Sequence, residues 1–363
     1  MGSCKEPLGV AVALHRQALG LRERHCHADA EAAARQALEL FEAHAGPAHP
    51  DVANVANLLA AIREDLDDHA QAETLWRKAV AITRALPADK GDLDRLRVQS
   101  LRGLGTNLRR QGRHADAEEH LGRALALAQE CLGADDVDTG STANDLGILY
   151  KYTGRFEEAE ALYRRVLVAT QTALGPDHPD VASLCHNLAG LAYARGHFDE
   201  AEPWARRSVE IRSRALGADH PDTMADAAQV GAILDAQGRS DEAEPLLRAA
   251  MTHFEKVFSP DHYEVAVNAG NLAVLLARRG DTSEAEDLYR RALSIKERVL
   301  GADNDEVATL ANNLAVLLAE VGRPEEAEGL LTHALPALKA ALGPDHPTTR
   351  ACAANLDHIG QAD

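Results

Sequence analysis

The chain has 363 residues, a net charge of −19 and a pI near 5.3. So acidic a surface is a poor match for a phosphate backbone, which excludes nucleic acid as a partner class, and no run is long and apolar enough to span a bilayer. Hydrophobic residues make up 45% but aromatic residues only 4%, a balance that suits helices packed closely through small side chains and argues against a β-rich core.

The N-terminal apolar run, residues 8–14, is short and is followed at once by His15-Arg16, so no secretory pattern is expected. Glu6 stands where myristoylation after Met1-Gly2 would want Ser or Thr. Five cysteines, Cys4, Cys26, Cys131, Cys185 and Cys352, are odd in number and form no CxxC. A disulfide framework is therefore not expected, and a reducing cytoplasm is. His25-Cys26-His27 is the one dense cluster of soft-metal ligands, with no further ligand nearby in sequence, so no metal site is expected.

From there on the chain repeats. An Ala-Glu step recurs at Ala30, Ala72, Ala117, Ala159, Ala201, Ala243, Ala285 and Ala327, always 42 residues apart except for 45 between Ala72 and Ala117. The three extra residues fall near 87–94, predicting a longer loop or a longer helix there. A fixed period of this size marks a solenoid, whose units bury their apolar faces only by stacking. The predicted units are 1–45, 46–90, 91–131, 132–173, 174–215, 216–257, 258–299 and 300–341, with a capping helix at 342–363, all in a single domain spanning 1–363.

The fifth unit shows how each is read. Pro179 suits the first helical turn and Asp180 the positive end of its dipole. Leu184, Leu188 and Leu191 make an apolar stripe at helical spacing. Gly196 ends the helix in a left-handed cap, as Gly112, Gly154, Gly238, Gly280 and Gly322 do in theirs. A second helix then carries Ala201, Trp204, Val209 and Ile211. His49, His178, His220, His262 and His346 occupy one inter-unit loop position, a unit or more apart, and read as structural. Pro203, Pro245 and Pro336 fall inside second helices and predict local bends.

Asn187-Leu188-Ala189, Tyr193, Gly196, Phe198 and Ala201 resemble the tetratricopeptide repeat. The 42-residue period opening LGxDHPxVA and continuing NNLAxLL…G…EAExLYxRAL resembles the repeats of kinesin light chains and their many bacterial relatives, and Lys is scarce beside Arg, as in a GC-rich bacterial source. The fold class expected is thus all-α, a right-handed α-solenoid of about eight helix pairs plus the cap. The heptad coiled coil of kinesin light chains is missing, so the resemblance implies no motor role. It does imply a concave groove lined by first helices.

Helical spacing places Arg102, Arg109 and Arg110, then Asn144, Lys151 and Tyr152, His186, Asn187 and Tyr193, Asn271 and Arg278, and Asn312 and Asn313 on the groove side. The resemblance implies that the recurrent Asn187, Asn271, Asn313 and Asn355 can hold a bound peptide backbone, an amide being both donor and acceptor; the alternative is a bond to a neighbouring helix. Arg102, Arg109, Arg110 and Lys151, with Tyr152 and Tyr193, form either a patch for acidic and aromatic or apolar groups or a solvated face. No HExxH, GxSxG or P-loop occurs, and neither a cofactor nor catalysis is expected. The leading expectation is a protein- or peptide-binding scaffold; the alternatives are a peptide-responsive regulatory sensor and an enzyme with an unfamiliar groove site.

Overall fold

A computed structural model describes residues 5–87 and 91–360. Cys4, the Met1-Gly2 start and positions 88–90 of the inserted segment lie outside the described residues. The described residues form seventeen helices and no strand. They are α1 (Lys5–Glu23), α2 (His27–His44), α3 (Pro50–Asp65), α4 (His69–Ala85), α5 (Asp92–Arg110), α6 (His114–Cys131), α7 (Val137–Tyr152), α8 (Phe156–Leu174), α9 (Pro179–Ala194), α10 (Phe198–Leu216), α11 (Pro221–Ala236), α12 (Ser240–Val257), α13 (Tyr263–Arg279), α14 (Thr282–Leu300), α15 (Asp305–Glu320), α16 (Pro324–Leu342) and α17 (Pro347–Ile359). Eight helix pairs and one unpaired last helix make an all-α solenoid. Two compact units divide it within α7, the first ending at Leu146 and the second starting at Gly147.

In the first unit each helix from α1 to α6 packs on the next in sequence and in the second each from α8 to α17 does, and neighbouring first helices also touch: α1 with α3 and α3 with α5 in the first unit, α9 with α11, α13 and so on to α17 in the second. Second helices of neighbouring pairs approach one another less closely, so the first-helix side is the inner one in each unit. The extra residues of the third pair lengthen its first helix. α5 has 19 residues, where α3, α9, α11 and α15 have 16. α10, α12 and α16 run unbroken through Pro203, Pro245 and Pro336.

The Ala-Glu step has two physical meanings. All eight alanines, from Ala30 to Ala327, are fully buried, because the second helix lies so close to its neighbours that only a methyl group fits. The glutamate beside six of them is a clamp. Glu160 accepts from Arg164 one turn on at 2.8 Å and from Arg195 of the next pair at 2.5 Å. Glu244 does the same with Arg248 at 2.7 Å and Arg279 at 2.5 Å. Glu31, Glu73, Glu202 and Glu286 repeat the arrangement. One bond steadies the helix and the other ties the pair to its successor.

The inter-unit histidines are helix N-caps. Nδ1 of His49, His178, His220 and His262 accepts the backbone N–H two residues on at 3.2 Å, and that of His346 does so at 3.3 Å. Asn304 takes the place with Oδ1 at 2.9 Å. The imidazole thus satisfies one orphan donor of the following helix, in the role usually held by Asp or Ser. The turn glycines named above have φ between 73° and 91°; the first two pairs manage with His25 at 57° and Asp67 at 60°. α17 differs from the first helices before it: where α15 has buried Ala308 and Ala315, α17 one period later has exposed Arg350 and Asp357.

First helices also carry a contact position with no room for a side chain. A Cβ at Gly147 would stand 2.6 Å from Cε1 of the fully buried Tyr163. Gly147→Ala is expected to destabilise by about 1–3 kcal/mol despite alanine's better helix propensity. Gly329→Ala, at an exposed α16 site with nothing within 4 Å, is expected to stabilise by about 0.5–1 kcal/mol. Urea unfolding of the two variants checks both signs.

The clamps make stability depend on pH. Bonds from Arg164 and Arg195 hold Glu160, and bonds from Arg248 and Arg279 hold Glu244, below the ordinary 4.5. A carboxylate lowered in the folded state contributes stability at neutral pH and loses it as pH falls below the ordinary value and through the folded one. The melting temperature of a Glu160→Gln, Glu244→Gln chain is therefore expected to fall less than that of wild type between about pH 6 and about pH 3.5.

Candidate functional site

The inner face of the second unit is built by repetition. One register position of the first helices carries Asn187, Gln229, Asn271, Asn313 and Asn355, each 42 residues from the last and each half-buried. The column lies on first helices because the apolar stripe beside it, Leu188, Leu272 and Leu314 among others, turns inward to the second helices.

Two members of the column bond across to the preceding first helix: Gln229 Nε2 donates to the carbonyl of His186 at 3.1 Å and Asn355 Nδ2 to Asn312 Oδ1 at 2.9 Å. Asn312 is itself buried, with 7% exposure, between α15 and α17. Asn313 accepts a long bond from it at 3.4 Å. Among the described residues the amide of Asn271 has no hydrogen-bond partner. The column therefore divides between the two roles open to it, part tying helices together and part facing outward.

Tyr193 lies at the end of α9 with 38% of its surface exposed, its ring 5.4 Å from that of Phe198. Burial of the rest of it raises its phenol pKa. Arg278, at the end of α13, donates to the buried Asp235 of α11 at 2.9 Å while its side chain stays 56% exposed. Asp235 also accepts from Ser240 at 2.8 Å. Lys151 holds its ammonium 4.8 Å from the ring centre of Tyr152, and it lies 3.5 Å from where a Cβ at Gly190 would be. Glycine at 190 thus gives the lysine close access to the α9 backbone.

His186 sits between α9 and α11. Its Nδ1 is 2.7 Å from Oδ1 of Asp226, a carboxylate with no exposed surface. Ser208 donates to the other oxygen at 2.5 Å, and Arg212 reaches Oδ1 at 3.4 Å while bonding Ser183 at 2.7 Å. Ser208, Asp226 and Arg212 escaped the sequence reading because the cluster joins two helices, Ser208 and Arg212 on α10 and Asp226 on α11; only burial reveals it.

In the first unit, Arg102 is 3.8 Å from Asp145, and Arg109, Thr106 and Asn144 surround the same carboxyl, whose pKa is raised by burial against their pull. Arg110 lies by Glu64, raised likewise by burial, which accepts from Trp76 Nε1 at 3.0 Å and Asn107 Nδ2 at 2.9 Å. The three arginines thus have carboxylates beside them, a compensation that charge counting alone had not assigned. Among the described residues no three His, Cys, Asp or Glu side chains come together as a metal would need, and no helix is long and apolar enough to cross a membrane.

Removing the central carboxylate of a buried network strands its partners. Asp226→Ala leaves Arg212 without its counter-charge and is expected to cost about 3–5 kcal/mol, measurable by chemical denaturation.

The family model described as "Tetratricopeptide repeat" matches residues 9–85, 96–171, 154–214, 180–250 and 223–298, and a second model so described matches 307–348. No curated protein matches the sequence. Among solved structures, the Rap conjugation gene regulator of the plasmid pLS20, in complex with the Phr* peptide, is similar at TM-score 0.64 and 13% identity, over 94% of this chain and 98% of that one. BtubC (BKLC) from P. vanneervenii is similar at 22% identity and TM-score 0.48, over 70% of this chain and 92% of that one. The nearly identical TPR-like repeats of a Podosopora anserina putative kinesin light chain are similar at 23% identity and TM-score 0.46, over 57% and 97%.

Proposed function

We propose that this chain, which belongs to the tetratricopeptide repeat family, is a non-catalytic scaffold that holds an extended segment of a partner protein or peptide against the first-helix face of its second unit. The observation that carries the reading is the amide column from Asn187 to Asn355, at one register position in successive pairs. Repeated amides one helix apart match the repeated donors and acceptors of an extended backbone, whatever its side chains. Asn271, whose amide has no partner among the described residues, is the central contact.

Side-chain preference comes from the residues flanking the column. Tyr193 offers a partly exposed ring for an aromatic or apolar anchor. Arg278, fixed from behind by Asp235, offers the rest of its fork to an acidic group. Because the helices are stacked before the ligand arrives, little ordering entropy is lost on binding. The solved complex of the pLS20 regulator with a peptide supports a peptide as the simplest ligand for such a fold, and a regulatory sensor answering to a peptide is the second reading that this similarity favours. The four described cysteines are free, which suits a reducing cytoplasm.

The test is selection of binding peptides from a random library with the wild-type chain, followed by affinity measurement. Loss of two backbone bonds in Asn271→Ala, Asn313→Ala is expected to weaken the selected peptides by about tenfold or more, with an unchanged helical circular dichroism spectrum. Arg206→Ala, on an outer clamp, is expected to leave affinity unaltered. Equal affinity in the double variant would remove the column from the binding site.

A further inference from the structure

Five helix starts in this chain rest on a nitrogen lone pair that acid removes. A ring nitrogen that accepts a bond carries no proton, so the neutral imidazoles of these caps hold their proton on Nε2. The next proton goes to Nδ1, the atom that holds the backbone N–H. Cap and proton therefore exclude one another. At one loop the chain does without histidine: Asn304 Oδ1 accepts from the Glu306 N–H at 2.9 Å, and an amide does not titrate. The register thus accepts asparagine, and capping alone does not call for an imidazole.

His178 and His220 show what surrounds such a ring. The charged groups come from the loop, the capped helix and α10. His178 Nδ1 accepts from the Asp180 N–H at 3.2 Å and stands 3.5 Å from the Asp180 carboxylate. Asp177, beside it in the loop, is held by Arg207 of α10 at 2.5 Å, and Arg207 also bonds Glu210 at 2.8 Å. His220 Nδ1 accepts from the Asp222 N–H at 3.2 Å. Asp219 precedes it in the loop, and Arg212 of α10 donates to the Asp222 carbonyl at 3.3 Å. A protonated His178 could turn to Asp180, but the two side chains are 38% and 58% exposed, a setting in which an ion pair adds little. The helix dipole also opposes a cation at a helix start. Protonation removes a bond at each site and offers little in return.

We propose that His178 and His220 are acid-sensitive latches, which release the starts of α9 and α11 in the range where imidazoles take up protons, about pH 7.5 to 5.5. The unfolded chain has no cap to lose on protonation, so acid favours it and stability falls as pH falls. The glutamate clamps, held below 4.5, protonate in a lower range, so the latches respond first. α9 and α11 carry Asn187 and Gln229, which places the response at the start of the amide column. The release needs no ligand on the inner face.

The experiment follows thermal unfolding by circular dichroism at about pH 7.5 and about pH 5.5. It compares wild type, a His178→Asn, His220→Asn chain, and His197→Asn, a histidine at a helix start whose side chain makes no cap bond. Between the two pH values the double variant is expected to lose at least about 3 °C less in melting temperature than wild type, and His197→Asn to lose as much as wild type. Nitrogen NMR of labelled wild-type imidazoles is expected to find the neutral His178 and His220 rings protonated on Nε2. The proposal is overturned if the double variant and wild type lose the same amount on acidification, or if His197→Asn gives an equal gain. It is overturned as well if the neutral rings carry their proton on Nδ1, or if the double variant fails to fold at the higher pH, since asparagine would then not stand in for the ring.

Discussion

The close approach at the eight register alanines governs everything else in this protein. Each has no exposed surface, so each second helix is fixed in depth and rotation against its neighbours. Once that distance is set, the larger residues have only one way to interlock. Gly147 against Tyr163 and Gly105 against Leu121 follow from it, because a first helix drawn so close cannot carry a side chain at the point of contact. A helix pair alone would leave this face in water, so the contact also makes each pair depend on the next.

Polar chemistry is layered over that packing. The clamping glutamates tie one pair to the next on the side of the second helices, while the first helices are joined by single bonds such as Gln229 to the His186 carbonyl and Arg278 to Asp235. The latter residues lie 43 apart, one period plus one, because adjacent first helices are offset rather than level. This second set uses the same residue types that recognise ligands. Distinguishing the two uses rests on which groups remain unspent once the inter-helix bonds are made, and that favours Asn271, Tyr193 and the outer part of Arg278 over Asn312 and His186.

The array departs from its own rule at a few positions. Glycine at 190 admits the Lys151 ammonium to a helix surface that Val274 and Val316 cover at the same register in later pairs. Asp145 puts a charge where neighbours have an amide. In α17, Arg350 and Asp357 stand where α15 has the buried Ala308 and Ala315.

Much of the fold was legible in the sequence. The period of 42, the Ala-Glu step and the turn glycines determined seventeen helices and their pairing, because these features are local and each recurs often enough to exclude accident. The burial of Leu146, Leu188, Leu272 and Leu314 followed from helical spacing alone. The same periodicity supplied an expectation of which residues share the inner face of the first helices. The tertiary structure decided what each of them touches. That the loop histidines cap helices, that His186 leans on Asp226, that Asn312 turns to Asn355, and that Arg102 and Arg109 converge on Asp145 all depend on the offset and rotation between neighbouring helices. Those quantities arise from side-chain packing between pairs some forty residues apart, and no spacing along one helix encodes them.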